Sequence, residues 1–229
     1  MSTMKKKTRR PRDPEGTRRA ILEAGGVQLA KGGPEGLSVS GVAHLAGVNR
    51  GTAYQHFESR DKLIKATAEW VSEKLYSCVF GIGPDAPERA VEEIDVAGLT
   101  DRLADFAMDN PALCQGWLLH VLASPDPSAD VFWREYEGSL RRFAATNRAR
   151  ANIDTEVLSV VMLAGAFLWP VWARAHAKSA KERRALSRRL AQECLRLSMY
   201  GSMQPEFYPE IASRLSAAQK PSKAKSRRS

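Results

Sequence analysis

Cysteine is scarce in this chain. Only Cys78, Cys114 and Cys194 occur in 229 residues, an odd and widely spaced set that supports neither a disulfide framework nor a zinc site. The four histidines, His44, His56, His120 and His176, have no metal-ligand spacing to one another or to cysteine. There is no G-x-S-x-G, no phosphate loop, and no carboxylate pair that one helix or strand face brings together. Glu92 and Glu93 are adjacent, hence on different sides of a helix. Catalysis, a cofactor and a resident metal are therefore not expected. The segment G-I-G-P-D-A-P at 81–87 imitates a G-x-G-x-x-A dinucleotide loop, but Pro84 and Pro87 fall in the helix such a loop must open, and no βαβ pattern surrounds it. It reads as a linker. Behind the basic start comes D-P-E-G-T-R-R rather than an apolar stretch, so a cytoplasmic protein is expected. Alternating strand patterns and internal repeats are missing as well, and the fold class expected is all-α.

What the chain does have is positive charge, placed unevenly. The formal net charge is +9, but residues 1–12 hold six Lys and Arg and residues 220–229 hold five, neither with an acid, so the stretch between them is slightly acidic at −2. Both ends are nearly free of apolar residues and read as disordered basic segments, 1–12 and 219–229. The N-terminal arm runs into a helix whose first positions suit Pro14. It is expected to lie along a DNA groove or its phosphates, whereas the tail reads as a solubilising end.

The densest information lies between residues 36 and 64. Ser38 stands where an N-cap is wanted, and Val39, Val42, Ala43 and Ala46 then repeat as one buried stripe. Gly47 follows, where a helix stops by entering the left-handed region at little steric cost. Asn49 caps the next short helix. Arg50, Thr52, Gln55 and His56 leave it with a polar outer face, Val48, Tyr54 and Phe57 are expected to anchor it, and Ser59 caps the helix beginning at Arg60. Glycine in a helix interior costs roughly 0.5–1 kcal/mol relative to alanine, so Gly25, Gly26 and Gly41 imply close backbone approaches or soft helices. The pattern is that of a helix-turn-helix, and the chain is expected to read DNA.

Through Gly47, Val48, Gly51, Thr52, Tyr54, His56, Phe57 and Ser59, this segment resembles the DNA-binding domain of the TetR family of bacterial transcriptional regulators. Arg60 stands where that family usually has lysine, Asn49 where it has serine or threonine, and Gly41 interrupts the first helix of the motif. The resemblance implies that Tyr54 and His56 hold phosphates, which set register, while groove contacts set sequence. Arg50 is the candidate for direct readout, since a guanidinium pairs bidentately with guanine. The full expected DNA-contacting set is Ser38, Ser40, Asn49, Arg50, Thr52, Tyr54, Gln55, His56 and Arg60. It belongs to a DNA-binding domain over 13–75, and the partner is double-stranded DNA with a palindromic operator.

Beyond residue 75, helices are expected at about 96–109, 111–123, 129–149, 154–176 and 180–200, within a second domain over 76–218. The 17 residues from Val157 to Ala173 are apolar on every side. A membrane span needs about 20 such residues, and Pro170 lies near one end, so a buried helix with a partner is expected instead. By resemblance, this helix and the next pack against their copies in a homodimer, with Leu163 and Leu190 in the seam. Four of five tryptophans fall in this half of the chain, and so many large rings are hard to pack without leaving a gap. A small hydrophobic or aromatic effector is expected among Phe106, Trp117, Phe132, Trp133, Tyr136 and Trp169, oriented by the Tyr136 hydroxyl, Gln115 or His120. The expected function is that of a dimeric repressor released by this ligand. The alternative is a constitutive or architectural DNA-binding protein whose second domain only dimerises.

Overall fold

The structure is a computed structural model that describes residues 13–81, 83 and 89–219. The basic arm, the C-terminal basic tail from Lys220 and most of the 81–87 linker lie outside the described residues. Ten α-helices run through the rest, and the only β pairing among the described residues is an isolated bridge between Ala149 and Met203. The chain divides into two compact units, residues 1–67 and 68–229.

In the first unit, α1 (Pro14–Gly36) opens with Pro14, and the Asp13 side chain accepts from Gly16 N at 2.8 Å. A break falls at Gly33, where φ is +59°. Helix α2 (Val39–Leu45) and α3 (Arg50–His56) follow, and then α4 (Arg60–Phe80) begins. Ile21, Leu29, Leu37, Val42, Ala53, Phe57 and Leu63 form the buried interior. Gly25 has a packing cause. A Cβ there would stand 2.6 Å from Thr67 Oγ1, and Thr67 is a fully buried, β-branched residue with little freedom to move aside.

The unit boundary falls inside α4, eight residues before the boundary the sequence suggests, because the second half of that helix already packs into the other core. Val71, Leu75 and Val79 join Leu103 and Phe106 of α5 (Val96–Asp109) and Trp117 of α6 (Pro111–Leu122). Phe132 and Trp133 of α7 (Val131–Ala144) and Leu163 and Phe167 of α8 (Thr155–His176) complete the cluster. Its centre is aromatic. Trp117 meets Phe132 and Phe167 edge-on at centroid distances of 5.2 and 5.5 Å, the geometry that the ring quadrupoles favour.

Helix α9 (Ala180–Gly201) starts with a capping box between Ser179 and Glu182. It is followed by α10 (Pro209–Gln219), a helix beyond those expected from the sequence. Ile211 and Leu215 of α10 pack with Leu195, Met199, Met203 and Phe143 in a second cluster. A two-pronged Arg214–Asp101 pair at 2.7 and 2.9 Å fastens α10 to α5. Helix α8 is long and apolar enough, by length and composition, to cross a membrane. Here, however, Leu163, Ala166, Phe167 and Ala173 are buried within the unit.

Candidate nucleic-acid interface and an interior cavity

The turn between α2 and α3 follows from its residues. Ser38 Oγ accepts from Gly41 N at 3.1 Å and starts α2, while the Gln28 amide oxygen accepts from Ser38 N at 3.2 Å. A Cβ at Gly41 would fall 2.6 Å from the Gln28 amide and 2.9 Å from Ser38 Oγ, so the glycine makes room for the cap and its support. At the other end Gly47 adopts φ +67°. Its N–H bonds to the His44 carbonyl, and Val48 N bonds to that of Ala43 at 3.0 Å. These two bonds are the Schellman closure. Asn49 Oδ1 then accepts from Gly51 N at 2.7 Å and opens α3.

Helix α3 turns Ala53 inward and is held by Phe57, which is 3% exposed and has the Arg18 guanidinium 4.7 Å above its ring. Its outward face is Arg50, Gly51, Tyr54 and Gln55, all exposed, with Thr52 and His56 half-buried at the flanks. Tyr54 is thus not the anchor its ring suggested. At 39% exposure it lies on the outer face with the Arg50 guanidinium 5.5 Å from its ring centroid. The i, i+4 spacing places both on one stripe, so the arginine is already aligned along the helix before any partner arrives.

Three of the expected contact residues have local work to do. Ser38 and Asn49 spend their oxygens on helix caps. Arg60 donates from Nε to the Leu37 carbonyl at 2.8 Å and reaches Glu35 at 3.5 Å, which ties the start of α4 to the end of α1. Ser40 is exposed on α2. Lys62, near Arg60, pairs with Glu58, whose carboxyl is held below its usual value by that hydrogen bond.

The second unit contains a cavity of about 110 Å³. It opens between Leu99 and Leu103 of α5, Tyr136 and Leu140 of α7, Met162 of α8, and Leu190, Cys194 and Ser198 of α9. Of the residues expected to bind a ligand, only Tyr136 lines it. Trp117 and Phe132 are wholly buried in the aromatic cluster, and Phe106 and Trp133 are packed there too. Trp117 also donates Nε1 to Asp130 at 2.9 Å. Trp169 donates to the Leu186 carbonyl at 3.3 Å and stacks on Trp172. Gln115 and His120 are half-exposed positions on α6 away from the cavity lining. The rings of the central cluster pack against one another, and the void lies between mostly aliphatic side chains from four helices, with Phe80, Phe143 and Tyr208 also on its wall.

Among the described residues no group of His, Cys, Asp and Glu is arranged to hold a metal. Burial pushes the Tyr136 phenol well above its usual range and the Cys194 thiol up to about 11.

Residues 21–67 match the family model of the bacterial regulatory proteins of the tetR family. No match was found among curated proteins. Among solved structures, the TetR family protein CprB from S. coelicolor A3(2) is 19% identical, covering 89% of this chain and 98% of its own at a TM-score of 0.59. A gamma-butyrolactone receptor, an ArpA-like protein, is 20% identical over 90% of this chain and 98% of its own, at 0.58. Full-length tylp, a regulator from Streptomyces fradiae, is 19% identical over 92% and 93%, at 0.54. Residues 21–67 are thus similar to the tetR family of bacterial regulatory proteins, and the chain has the fold of TetR-family transcription regulators.

Proposed function

We propose that this protein is a homodimeric, sequence-specific repressor whose hold on a palindromic operator is released by a small apolar molecule. The observation that carries the reading is the presence, in one chain, of a capped helix with a polar outward face and an apolar cavity in the other unit. Arg50 reads a base edge, Tyr54 and His56 hold phosphates, and Ser40, Thr52 and Gln55 extend the contact. A regulator whose second unit only dimerises has no use for such a void. Action in the cytoplasm follows from that role.

Dimerisation is supported by an apolar stripe. Val157, Val161, Gly165, Leu168 and Trp172 follow one face of α8 at steps of three or four, and all are exposed. Leu197 and Tyr200 of α9 are exposed at 51% and 58%. Large apolar side chains gathered like this on a soluble chain mark an association surface. Leu163 and Leu190, the expected seam positions, are instead buried inward, at 0% and 9% exposure. A helix that is apolar all round gives no periodic cue to which face meets the partner.

The test is selection of binding sites from random duplex DNA by the full chain, followed by footprinting. Two half-sites about 34–36 Å apart, together with release of that DNA by a small-molecule fraction of cell extract, are expected. A footprint over one isolated half-site contradicts the dimeric reading, and a complex that no extract weakens contradicts ligand control.

A further inference from the structure

The lining of the cavity restricts what can occupy it. No charged side chain borders it, and most of the wall is aliphatic, from Leu99, Leu103, Leu140, Met162 and Leu190. An ion entering such a site loses its hydration with nothing to replace it, which excludes carboxylates, phosphates and ammonium compounds alike. Four rings, those of Phe80, Tyr136, Phe143 and Tyr208, stand among these aliphatic side chains, and the wall as a whole suits an apolar ligand.

The polar groups on the wall are unequal. Thr100 and Ser202 donate their hydroxyl protons to the Val96 and Ser198 carbonyls of their own helices, at 2.8 and 3.0 Å. The Tyr136 hydroxyl, by contrast, makes no hydrogen bond to the described residues although its side chain is almost wholly buried. Cys194 and Ser198 on α9 line the same cavity. Burial holds both Tyr136 and Cys194 in their protonated forms at neutral pH, so what they offer is O–H and S–H.

We propose that the cavity takes an uncharged, largely aliphatic molecule bearing a carbonyl oxygen, which accepts a hydrogen bond from the Tyr136 hydroxyl. This rests on the reading of the cavity as an effector site. A dry engineered cavity of about 150 Å³ accommodates the six carbons of benzene, so the present volume of about 110 Å³ holds roughly four or five non-hydrogen atoms, and larger members of the class require the helices to part slightly.

Three small probes, each of six non-hydrogen atoms, separate the chemistry: 2-pentanone, the shape-matched alkene 2-methyl-1-pentene, and butanoate. Binding is followed on the full chain without DNA by ligand-observed NMR, in the native protein and in Tyr136→Phe, which keeps the ring and removes only the hydroxyl. The ketone is expected to bind about three- to tenfold more tightly than the alkene, the yield of one net hydrogen bond. Butanoate should bind more weakly than either, and in Tyr136→Phe the ketone should lose its advantage over the alkene. Tighter or equal binding of butanoate overturns the proposal, as does an undiminished ketone preference in Tyr136→Phe or the failure of all three probes to bind. The reading beneath it fails separately. Selective ketone binding with no response of the operator complex to any extract would leave the site chemistry standing and remove ligand control, whereas release by an extract with no ketone selectivity would do the reverse.

Discussion

Ser72 of α4 donates its hydroxyl to Asp130 Oδ1 at 2.7 Å, across 58 residues of sequence. The same Asp130 oxygen caps α7 by accepting from Trp133 N at 2.9 Å, and its other oxygen accepts from Trp117 Nε1 of α6. Ser72 in turn accepts from Phe132 N at 3.0 Å. One carboxylate thus joins α4, α6 and α7 at the edge of the aromatic cluster. Asp130→Ala removes a cap worth about 1 kcal/mol and leaves the indole N–H without an acceptor, which costs a further 1–3 kcal/mol or so. Denaturant unfolding should show a loss of about 3 kcal/mol, with Ser72→Ala losing less. Equal stability of Asp130→Ala and the native chain would contradict this account.

At the reading helix, Arg50→Ala should weaken operator binding by about 1–3 kcal/mol and relax the preference at one base pair, whereas Tyr54→Phe should weaken all sequences alike. Fluorescence anisotropy with a panel of single-base operator variants distinguishes the two. A uniform loss in Arg50→Ala would assign that guanidinium to phosphate.

The N-terminal arm is tested through salt. If residues 5–12 neutralise phosphates, their deletion should flatten the plot of log affinity against log salt by roughly 0.9 for every phosphate no longer neutralised. An unchanged slope would make the arm a solubilising end.

A charge at the apolar stripe separates association from folding. Val161→Asp or Leu168→Asp, at exposed positions, should give a folded monomer by light scattering with native helix content. Leu163→Asp should unfold the second unit, since an unpaired buried charge costs several kcal/mol. Native dimers of both exposed-site variants would place the interface elsewhere.

The cysteines should react in order of exposure and acidity. Cys78 is exposed, while burial raises the Cys194 thiol to about 11. At pH 8 only about one Cys194 in a thousand is thiolate, the reactive form, so iodoacetamide should modify Cys78 first. The Cys194 rate should climb with pH, reach half its maximum near pH 11 and level off only above that. Alkylation of Cys194 at the rate of Cys78 at pH 8 would mean that the cavity is open to water.

The reading head was legible because its signals are local. Ser38, Gly47 and Asn49 each act through bonds spanning a few residues, and the residue type names the turn. Helix α10 leaves no periodic signal, because it is short and offers mainly Ile211 and Leu215 as buried anchors. The position of the cavity is not legible in the sequence for a different reason. Aromatic content signals large volume, but whether volume is filled depends on how side chains from distant segments meet. Trp117, Phe132 and Phe167 meet closely, while Leu103, Leu140 and Met162 do not. No spacing rule within one helix records that.

The cavity also fixes where this protein can be made hardier. Closing a cavity of about 110 Å³ with bulkier side chains would add at most about 2–3 kcal/mol of stability, at roughly 24 cal/mol per Å³. Selection for heat resistance alone should therefore accumulate bulkier side chains around Leu103, Leu140 and Met162, and the survivors should fold better and sense less. If the cavity is the effector site proposed above, tolerance of heat and responsiveness draw on the same space, and one is gained at the expense of the other.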